Sequence, residues 1–174
     1  MPVAKSPRIR KRLQLGRDHL KLYCDTNVYN RCFDEQNQLR IRLECTAIEG
    51  VYALAEAGRL ELTWSFMLDY ENSLNPHPDR KEWVELLSHM CTDTIAPSPP
   101  ILTLARRLMK LRKLKSRDAL HVACAQHGGC DFFITCDDTL IQRASRRGRQ
   151  SVLQVKVVNP VEFIRNEGSR YGKG

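Results

Sequence analysis

Four acidic side chains lie where carboxylates can do chemistry rather than only keep a chain in solution. Asp25 and Asp137 come at the ends of two short apolar runs, "KLYC" and "FFIT", each of which predicts a buried strand. Asp118 lies in the first turn of a predicted helix, and Glu71 lies about two helical turns after a third apolar run, "LELTW". Because the carboxyl ends of parallel strands share one edge of a sheet, all four acids are expected to meet there.

Carboxylates that converge in apolar surroundings need a cation. Asp118 and Glu71 have largely apolar neighbours, and a carboxylate at the margin of a core is costly unless a positive charge meets it. A divalent metal is the simplest such cation, and sites built from oxygen ligands suit Mg²⁺ or Mn²⁺. His121, three residues after Asp118, either touches this site or is a histidine at the edge of the core.

Each acid also has an ordinary structural interpretation. Asp25 is suited to cap a helix, Asp118 to interact with a helix dipole, and Glu71 to lie in solvent on a helix surface. No Ser-His-Asp arrangement, Walker loop or GxGxxG pattern offers a different chemistry.

The elements that must position these residues alternate along the chain. Strands are predicted at 21–24, 60–64, 92–97, 131–135 and 152–158, separated by segments of helical apolar spacing, and Gly58 is expected to end the first long helix. Such alternation predicts an α/β fold with a parallel sheet covered on both faces. The predicted helices are 40–57, 65–74, one from 79, 98–113, 116–127, 138–147 and 160–166.

Four stretches of the sequence resemble the acidic motifs of PIN-domain ribonucleases, in the order that the family has them. They are "CDTNVY", "SFMLDYEN", "SRDALHVACA" and "FFITCDD", and the resemblance covers residues 21–165. It implies a three-layer α/β/α fold with a roughly five-stranded parallel sheet. It also implies an endonuclease that uses Mg²⁺ or Mn²⁺ and acts mainly on single-stranded RNA.

The resemblance also implies roles for individual residues. The metal-binding acids would be Asp25, Glu71, Asp118 and Asp137, with Asn27 and Thr135 orienting them and Asp138 as a possible additional acid. Many small PIN proteins are toxins of the VapBC type that a partner antitoxin neutralises, and PIN-like proteins often form homodimers. A cognate antitoxin and a homodimer are therefore possible partners. This chain is longer than most such toxins, through its basic N-terminal segment and the region 75–91.

The charge balance favours a nucleic-acid partner. The formal net charge is +8, and such an excess favours anionic partners such as RNA. Two basic runs, 106–117 and 143–149, are either phosphate-binding surfaces or solvated helix faces. The candidate nucleic-acid-binding residues within them are Arg112, Lys113, Lys115, Arg117, Arg143, Arg146 and Arg147.

Cysteine usage and hydropathy indicate the compartment. The seven cysteines are odd in number and include no CxxC pair, which favours reduced thiols in the cytoplasm over a disulfide scaffold or a zinc site. No apolar run approaches the roughly 18 residues that span a bilayer, so membrane insertion is not expected. The predicted organisation is a basic lead-in at 1–20, a PIN-like nuclease domain at 21–167 and a tail at 168–174.

Two other functional classes fit part of the pattern. One is a PIN-like nucleic-acid-binding or regulatory module without catalytic activity, against which the presence of all four acids argues. The other is a phosphatase of the haloacid dehalogenase type, which also starts from an Asp at a strand end. That chemistry needs a second Asp two residues later, and position 27 is Asn.

Overall fold

The computed structural model describes residues 19–146 and 152–171. Five parallel strands form one sheet, as the sequence predicts. The strands are β1 Leu20–Cys24, β2 Leu60–Ser65, β3 Asp93–Ile95, β4 Phe132–Ile134 and β5 Lys156–Val158. The helices are α1 Thr26–Asn30, α2 Leu39–Glu56, α3 Phe66–Ser73, α4 Pro78–Ser88, α5 Pro99–Arg112, α6 Ser116–His127, α7 Asp138–Ala144 and α8 Pro160–Tyr171, with a 3₁₀ turn at Arg31–Phe33.

The strand order places the reversal of the sheet between β1 and β4. The order is β3-β2-β1-β4-β5, so the chain first builds outward from β1 to one edge and then crosses back to the other side of β1. Cys24 of β1 pairs with Ile134 of β4, and the backbone N–H of Asp25 donates to the Ile134 carbonyl at 2.9 Å. In open α/β sheets the crevice beside such a reversal is the usual ligand site.

Helices cover both faces of the sheet. Helix α2 packs against α8, and α5 packs against α6. Since crossovers between parallel strands are right-handed, the change in direction after β3 puts α5 and α6 on the face opposite α2. The core between the layers includes fully buried Tyr23, Phe133 and Leu108. The result is the predicted three-layer α/β/α arrangement.

Most predicted boundaries hold within a few residues. Gly58 ends helix α2 as expected: it has a φ of 67°, and the Arg59 N–H donates to the Leu54 carbonyl as in a Schellman motif. Strands β3 and β5 are shorter than predicted. Helix α8 continues to Tyr171, into the segment predicted as a tail. The predicted basic lead-in lies almost entirely outside the described residues.

The cysteine prediction needs a correction. Cys32, in the 3₁₀ turn, and Cys45, in helix α2, form a disulfide. The prediction of reduced thiols is therefore wrong for this pair, because only the docking of the turn on the helix brings the two residues together. The other five cysteines are free. In the described part of the chain, no helix is long and apolar enough to cross a membrane.

Candidate metal-binding active site

Asp25 is held in place at the end of β1 by three neighbours. It is 8% exposed, and its Oδ1 accepts a hydrogen bond from the Thr26 N–H at 2.8 Å, which caps helix α1. Its Oδ2 accepts from Asn27 Nδ2 and from Thr135 Oγ1, both at 2.8 Å. The capping interpretation therefore holds, but a carboxylate has about four acceptor positions, so capping leaves room for a cation.

Asn27 and Thr135 link the ends of β1 and β4. The Asn27 amide donates to Thr135 Oγ1 at 3.0 Å, and its Oδ1 accepts from the Cys136 N–H at 3.0 Å. Thr135 is fully buried, and its Oγ1 also accepts from the Asp137 N–H at 3.2 Å. These bonds fix the position of Asp25 relative to the loop that carries Asp137.

Glu71 reaches the same place from helix α3. Its Oε2 accepts a short hydrogen bond from Thr26 Oγ1 and lies 3.1 Å from His121 Nε2. One donor atom from each of Asp25, Glu71 and His121 lies within 4.8 Å of the other two. The structure thus places His121 inside the site, which the sequence left open.

Asp118 and Asp137 lie beside this group of three without belonging to it. Asp137 caps helix α7, where its Oδ1 accepts from the Leu140 N–H at 3.0 Å. Asp118 is in the first turn of helix α6 and is half-buried. Burial, followed by repulsion from Asp137, raises the pKa of Asp118. The carboxylates of Asp118 and Asp137 are therefore close enough to repel one another electrostatically.

The pKa values of Asp25, Glu71 and His121 are shifted in different directions. Burial raises the pKa of Asp25, and Glu71 adds to that rise, while His121 and Thr135 oppose it. Burial also disfavours ionisation of Glu71, but His121 and Thr26 outweigh it and lower the pKa of Glu71. Burial lowers the pKa of His121, yet Glu71 and Asp25 raise it overall. The protein therefore supplies a site whose negative charge is only partly compensated.

Asp138 points away from the acidic group. It is exposed, and its two carboxylate oxygens accept from Arg40 at 2.5 and 2.8 Å. This hydrogen-bonded pair lowers the pKa of Asp138. Of the adjacent acids, Asp137 is the one placed toward Asp118.

Glu44, which binds Arg40 and so supports the pair of Arg40 and Asp138, was not predicted from the sequence. Glu44 is 1% exposed and accepts hydrogen bonds from Arg31, Arg40 and Asn159. A charged residue at a core-facing position of helix α2 was the signal available, because such a residue needs partners.

The basic runs meet on one side of the acids. Lys113, in a left-handed conformation at the end of α5, has its carbonyl bonded to Arg143 Nη1 at 2.8 Å. Lys115 lowers the pKa of Asp118, although burial and Asp137 act more strongly in the other direction. Arg117 contributes to the lowered pKa of Glu71. Lys115 and Arg117 therefore lie beside the acids, and the contact between Lys113 and Arg143 lies next to them in the chain; these four residues are called the basic rim.

The remaining candidates for nucleic-acid binding differ from one another. Arg146 is exposed near the end of helix α7. Arg112 is only 8% exposed, and its buried Nε has no hydrogen-bond partner in the described part of the chain. Its guanidinium lies against a cavity of about 590 Å³ rather than on the rim. Arg147 lies outside the described residues.

The donor set fits a divalent cation. Two carboxylates and an imidazole nitrogen lie within 4.8 Å of one another, a spacing that ligands of one ion can have. Moreover, His121 Nε2 is buried and makes no hydrogen bond of acceptable geometry to any residue that the structure describes, even though Glu71 Oε2 is 3.1 Å away. A cation between these atoms would satisfy both the surplus negative charge and the unpartnered nitrogen.

Comparisons with known proteins agree with this architecture. The FitAB complex bound to an IR36 DNA fragment matches with a TM-score of 0.54 and 17% identity, over 80% of this chain and 95% of that one. The VapBC2 complex from Rickettsia felis, bound to a DNA fragment from their promoter, matches with a TM-score of 0.53 and 11% identity, over 80% of this chain and 98% of that one. At these identities the likeness shows the fold alone. The search of curated proteins found no match.

The family itself is shown by the sequence. The model of the PIN domain matches residues 22–146, which is well over half of the chain. That range contains the ends of β1 and β4 and the helices that carry Glu71 and Asp118. This protein belongs to the PIN domain family.

Proposed function

We propose that this protein is a metal-dependent endoribonuclease that hydrolyses phosphodiester bonds of single-stranded RNA. The observation that carries this proposal is the meeting of Asp25 and Glu71 beside the reversal of strand order, with Asp118 and Asp137 next to them. Membership of a family whose members are typically nucleases supports it.

The residues that would hold Mg²⁺ or Mn²⁺ are the four acids Asp25, Glu71, Asp118 and Asp137. When bound, the ion would neutralise phosphate charge, make a water more acidic and stabilise the departing oxygen. The chain's own contribution is to hold the carboxylates still. Thr26 holds Glu71 through its hydroxyl, in addition to the pair of polar side chains that orients Asp25.

The RNA backbone would lie along the basic rim. Lys113, Lys115, Arg117 and Arg143 lie on exposed or half-exposed segments beside the acids and would contact phosphates. Such contacts give affinity without sequence choice. The proposed substrate is therefore defined by its strandedness and charge rather than by a base sequence.

Tyr70 adds a stacking surface at the edge of the site. It precedes Glu71, its side chain is 50% exposed, and the Arg117 guanidinium lies 5.8 Å from its ring centroid. An exposed aromatic ring beside a cation is the combination that holds an unpaired base and its phosphate. Duplex RNA keeps its bases stacked internally, so this feature favours a single strand.

A protein antitoxin is the proposed partner. Two of the similar solved structures are FitAB and VapBC2 complexes, and small PIN proteins of the VapBC type act together with an antitoxin. A homodimer is a further proposed assembly. A cytoplasmic location, where an RNA substrate is present, is proposed because five of the seven cysteines are free thiols; the disulfide between Cys32 and Cys45 does not support it.

A catalytically inactive RNA-binding module is the alternative. It would keep the basic rim and Tyr70 but would not cut. The phosphatase alternative is less suited to the site, because Asn27 donates its amide to Asp25 where that chemistry needs a second acid.

Cleavage of a single-stranded RNA with Mn²⁺ and with a chelator tests the proposal. We expect cleavage with Mn²⁺ only, and we expect Asp25→Asn to lower the rate at least about 100-fold, because a metal ligand supplies several kcal/mol to the transition state. Asp138→Asn is the matched control, since it changes an acid of the same sheet edge that faces Arg40 instead.

The outcomes separate the two functions. RNA that is bound but never cut, with or without Mn²⁺, favours the inactive module. Equal rates for the wild type and Asp25→Asn would contradict the proposed role of the acids. Loss of activity in Asp138→Asn alone would mean that the wrong member of the adjacent pair has been assigned.

A further inference from the structure

We propose that His121 is a direct nitrogen ligand of the bound ion, which makes the centre a mixed carboxylate and imidazole site that favours Mn²⁺ over Mg²⁺. This inference rests on the proposed function in one respect, namely that a divalent ion binds at the acids. It goes further in naming a ligand outside the acidic set and the metal that this ligand selects.

The first observation that supports His121 as a ligand is the position of its imidazole. His121 is 2% exposed, and one of its ring nitrogens lies within 4.8 Å of donor atoms from both Asp25 and Glu71. Nε2 is 3.1 Å from Glu71 Oε2, but its alignment does not satisfy hydrogen-bond geometry, and it has no other partner within residues 19–146 and 152–171. A buried polar atom that faces two carboxylates without a hydrogen bond is costly, and a shared cation would satisfy it.

The other ring nitrogen carries the second step. Nδ1 of His121 lies 2.8 Å from the Tyr23 hydroxyl, which in turn lies 2.6 Å from Ser65 Oγ. With Nε2 as an acceptor toward a cation, Nδ1–H donates to Tyr23 and the Tyr23 hydroxyl donates to Ser65. A ligating histidine usually has its second nitrogen fixed by such a partner, which sets both its tautomer and its orientation.

Rigidity around the ring carries the third step. Tyr23 is fully buried, packs edge-on against His121 at a centroid distance of 5.9 Å and stacks on Phe133 at 5.4 Å. Ser65 is fully buried as well and caps helix α3, the helix that carries Glu71. The arrangement therefore sets the imidazole and the Glu71 carboxylate relative to one another.

The nitrogen donor determines the expected metal. Mg²⁺ is a hard ion that binds oxygen ligands and keeps several waters, whereas first-row transition metals accept imidazole. An all-carboxylate centre would bind Mg²⁺ and Mn²⁺ through the same oxygens. Replacing one oxygen ligand by nitrogen shifts the preference toward Mn²⁺.

Pulsed electron paramagnetic resonance of Mn²⁺ bound to the full-length, tag-free protein tests the inference directly. After removal of other metals with a chelator and addition of Mn²⁺ alone, we expect modulation from a directly coordinated ¹⁴N nucleus. Labelling the protein with ¹⁵N-histidine should convert that signal to ¹⁵N. This readout needs no variant and no catalytic activity.

Two histidine variants of helix α6 supply the matched comparison. His121→Gln should lose the nitrogen signal and lower Mn²⁺ affinity about 10-fold or more, with a smaller loss of Mg²⁺ affinity. His127→Gln, which changes an exposed histidine on the same helix, should leave both unchanged. If His121→Gln does not fold, the spectrum of the labelled wild type still decides.

Each outcome bears on one proposal or on both. Mn²⁺ that binds tightly without histidine nitrogen coupling overturns the inference and leaves the proposed nuclease intact. Equal losses of Mn²⁺ and Mg²⁺ affinity in His121→Gln, with coupling present, overturn the stated preference. A protein that binds no Mn²⁺ overturns the inference together with the metal-dependent function.

Discussion

At the scale of single residues, Glu71 and Asp118 are both half-buried acids beside the same cluster, yet their pKa values shift in opposite directions. Burial disfavours the ionised form of each. In Glu71 the interactions with His121 and Thr26 outweigh the effect of burial, so that its pKa is lowered. In Asp118, repulsion from Asp137 adds to the effect of burial, and Lys115 and His121 oppose the rise in pKa only in part. Of these two acids, Asp118 is therefore the one that gains more from a cation.

Asp118→Asn is predicted to stabilise the metal-free protein. Because the folded-state pKa of Asp118 is raised, its ionised form costs stability above the ordinary Asp value of 3.8 and not below it. In chelator at neutral pH, the variant should melt roughly 2 °C higher, a gain that disappears as the pH falls below that value. Thermal melts between pH 3 and 8 measure this.

Metal should reverse the order of the two proteins. Mn²⁺ at 100 times its dissociation constant adds about 2.7 kcal/mol to the stability of the wild type, and the variant lacks one of the proposed ligands. A metal-free variant that melts lower than the wild type at neutral pH would contradict the assigned cause of the pKa shift.

At the scale of elements, a network centred on Glu44 joins four segments around the end of β4. It lies in helix α2 and binds Arg31 of the 3₁₀ turn, Arg40 of its own helix and Asn159 before helix α8. Arg40 in turn binds the Cys136 carbonyl and Asp138. The network thus fixes the loop that carries Asp137 to helix α2 on the far side of the acidic group.

Glu44→Gln is predicted to cost about 3 kcal/mol of unfolding free energy at pH 7, because it leaves two arginines without their buried partner. Burial disfavours ionised Glu44, but Arg40, Asn159 and Arg31 lower its pKa overall. A lowered pKa gives stability above the ordinary Glu value of 4.5, and this stability is lost as the pH falls below it. Denaturant unfolding from pH 7 to pH 3 should show the difference shrinking on acidification.

The matched control is Glu56→Gln, an exposed acid at the end of the same helix. Its effect should stay within about 0.5 kcal/mol at every pH. If both variants lost the same stability, the loss would come from the charge of the helix rather than from the network.

At the scale of the whole molecule, basic charge and the acidic group lie side by side on one edge of the fold. The basic rim comes from the segment between α5 and α6, the first turn of α6 and helix α7, which the topology brings together. Tyr70 lies beside Arg117 on the α3 side of the acids. A single strand that follows this edge would meet phosphate contacts, a stacking surface and the carboxylates in turn.

Binding experiments are predicted to distinguish base stacking on Tyr70 from the phosphate contact of Arg117. Tyr70→Ala should weaken binding of a single-stranded RNA by roughly 5- to 150-fold, which corresponds to about 1–3 kcal/mol per stacked base, and Tyr70→Phe should retain affinity. Arg117→Ala should lower the slope of log affinity against log salt by about 0.7 for the lost phosphate contact. Binding titrations at several salt concentrations measure the affinity and the salt slope. They are carried out in chelator, which prevents cleavage of the RNA.

An oligonucleotide with abasic sites provides the control for stacking. The wild type and Tyr70→Ala should bind it equally, and Trp83→Ala, at an exposed aromatic residue of helix α4, should bind ordinary RNA as the wild type does. A weakening by Tyr70→Ala that persists on the abasic strand would rule out base stacking as its cause.

Local sequence determined the elements and the places of the acids along them. The buried runs "KLYC" and "FFIT" end where Asp25 and the Thr135–Asp137 loop begin, and a polar residue that follows a buried strand is readable from hydropathy alone. The helix bearing Asp118 was likewise bounded to the residue, because Ser116 begins it and Gly128 follows it. These features depend on neighbours in sequence.

Tertiary structure decided which side chains meet. The strand order put β1 beside β4, and only that pairing brings Asp25 within reach of Thr135, 110 residues away. The position of His121 against Glu71, the disulfide between Cys32 and Cys45, and the partners of Glu44 depend in the same way on how helices dock on the sheet. Contacts between distant segments are set by packing geometry, which the periodicity of any one segment does not contain.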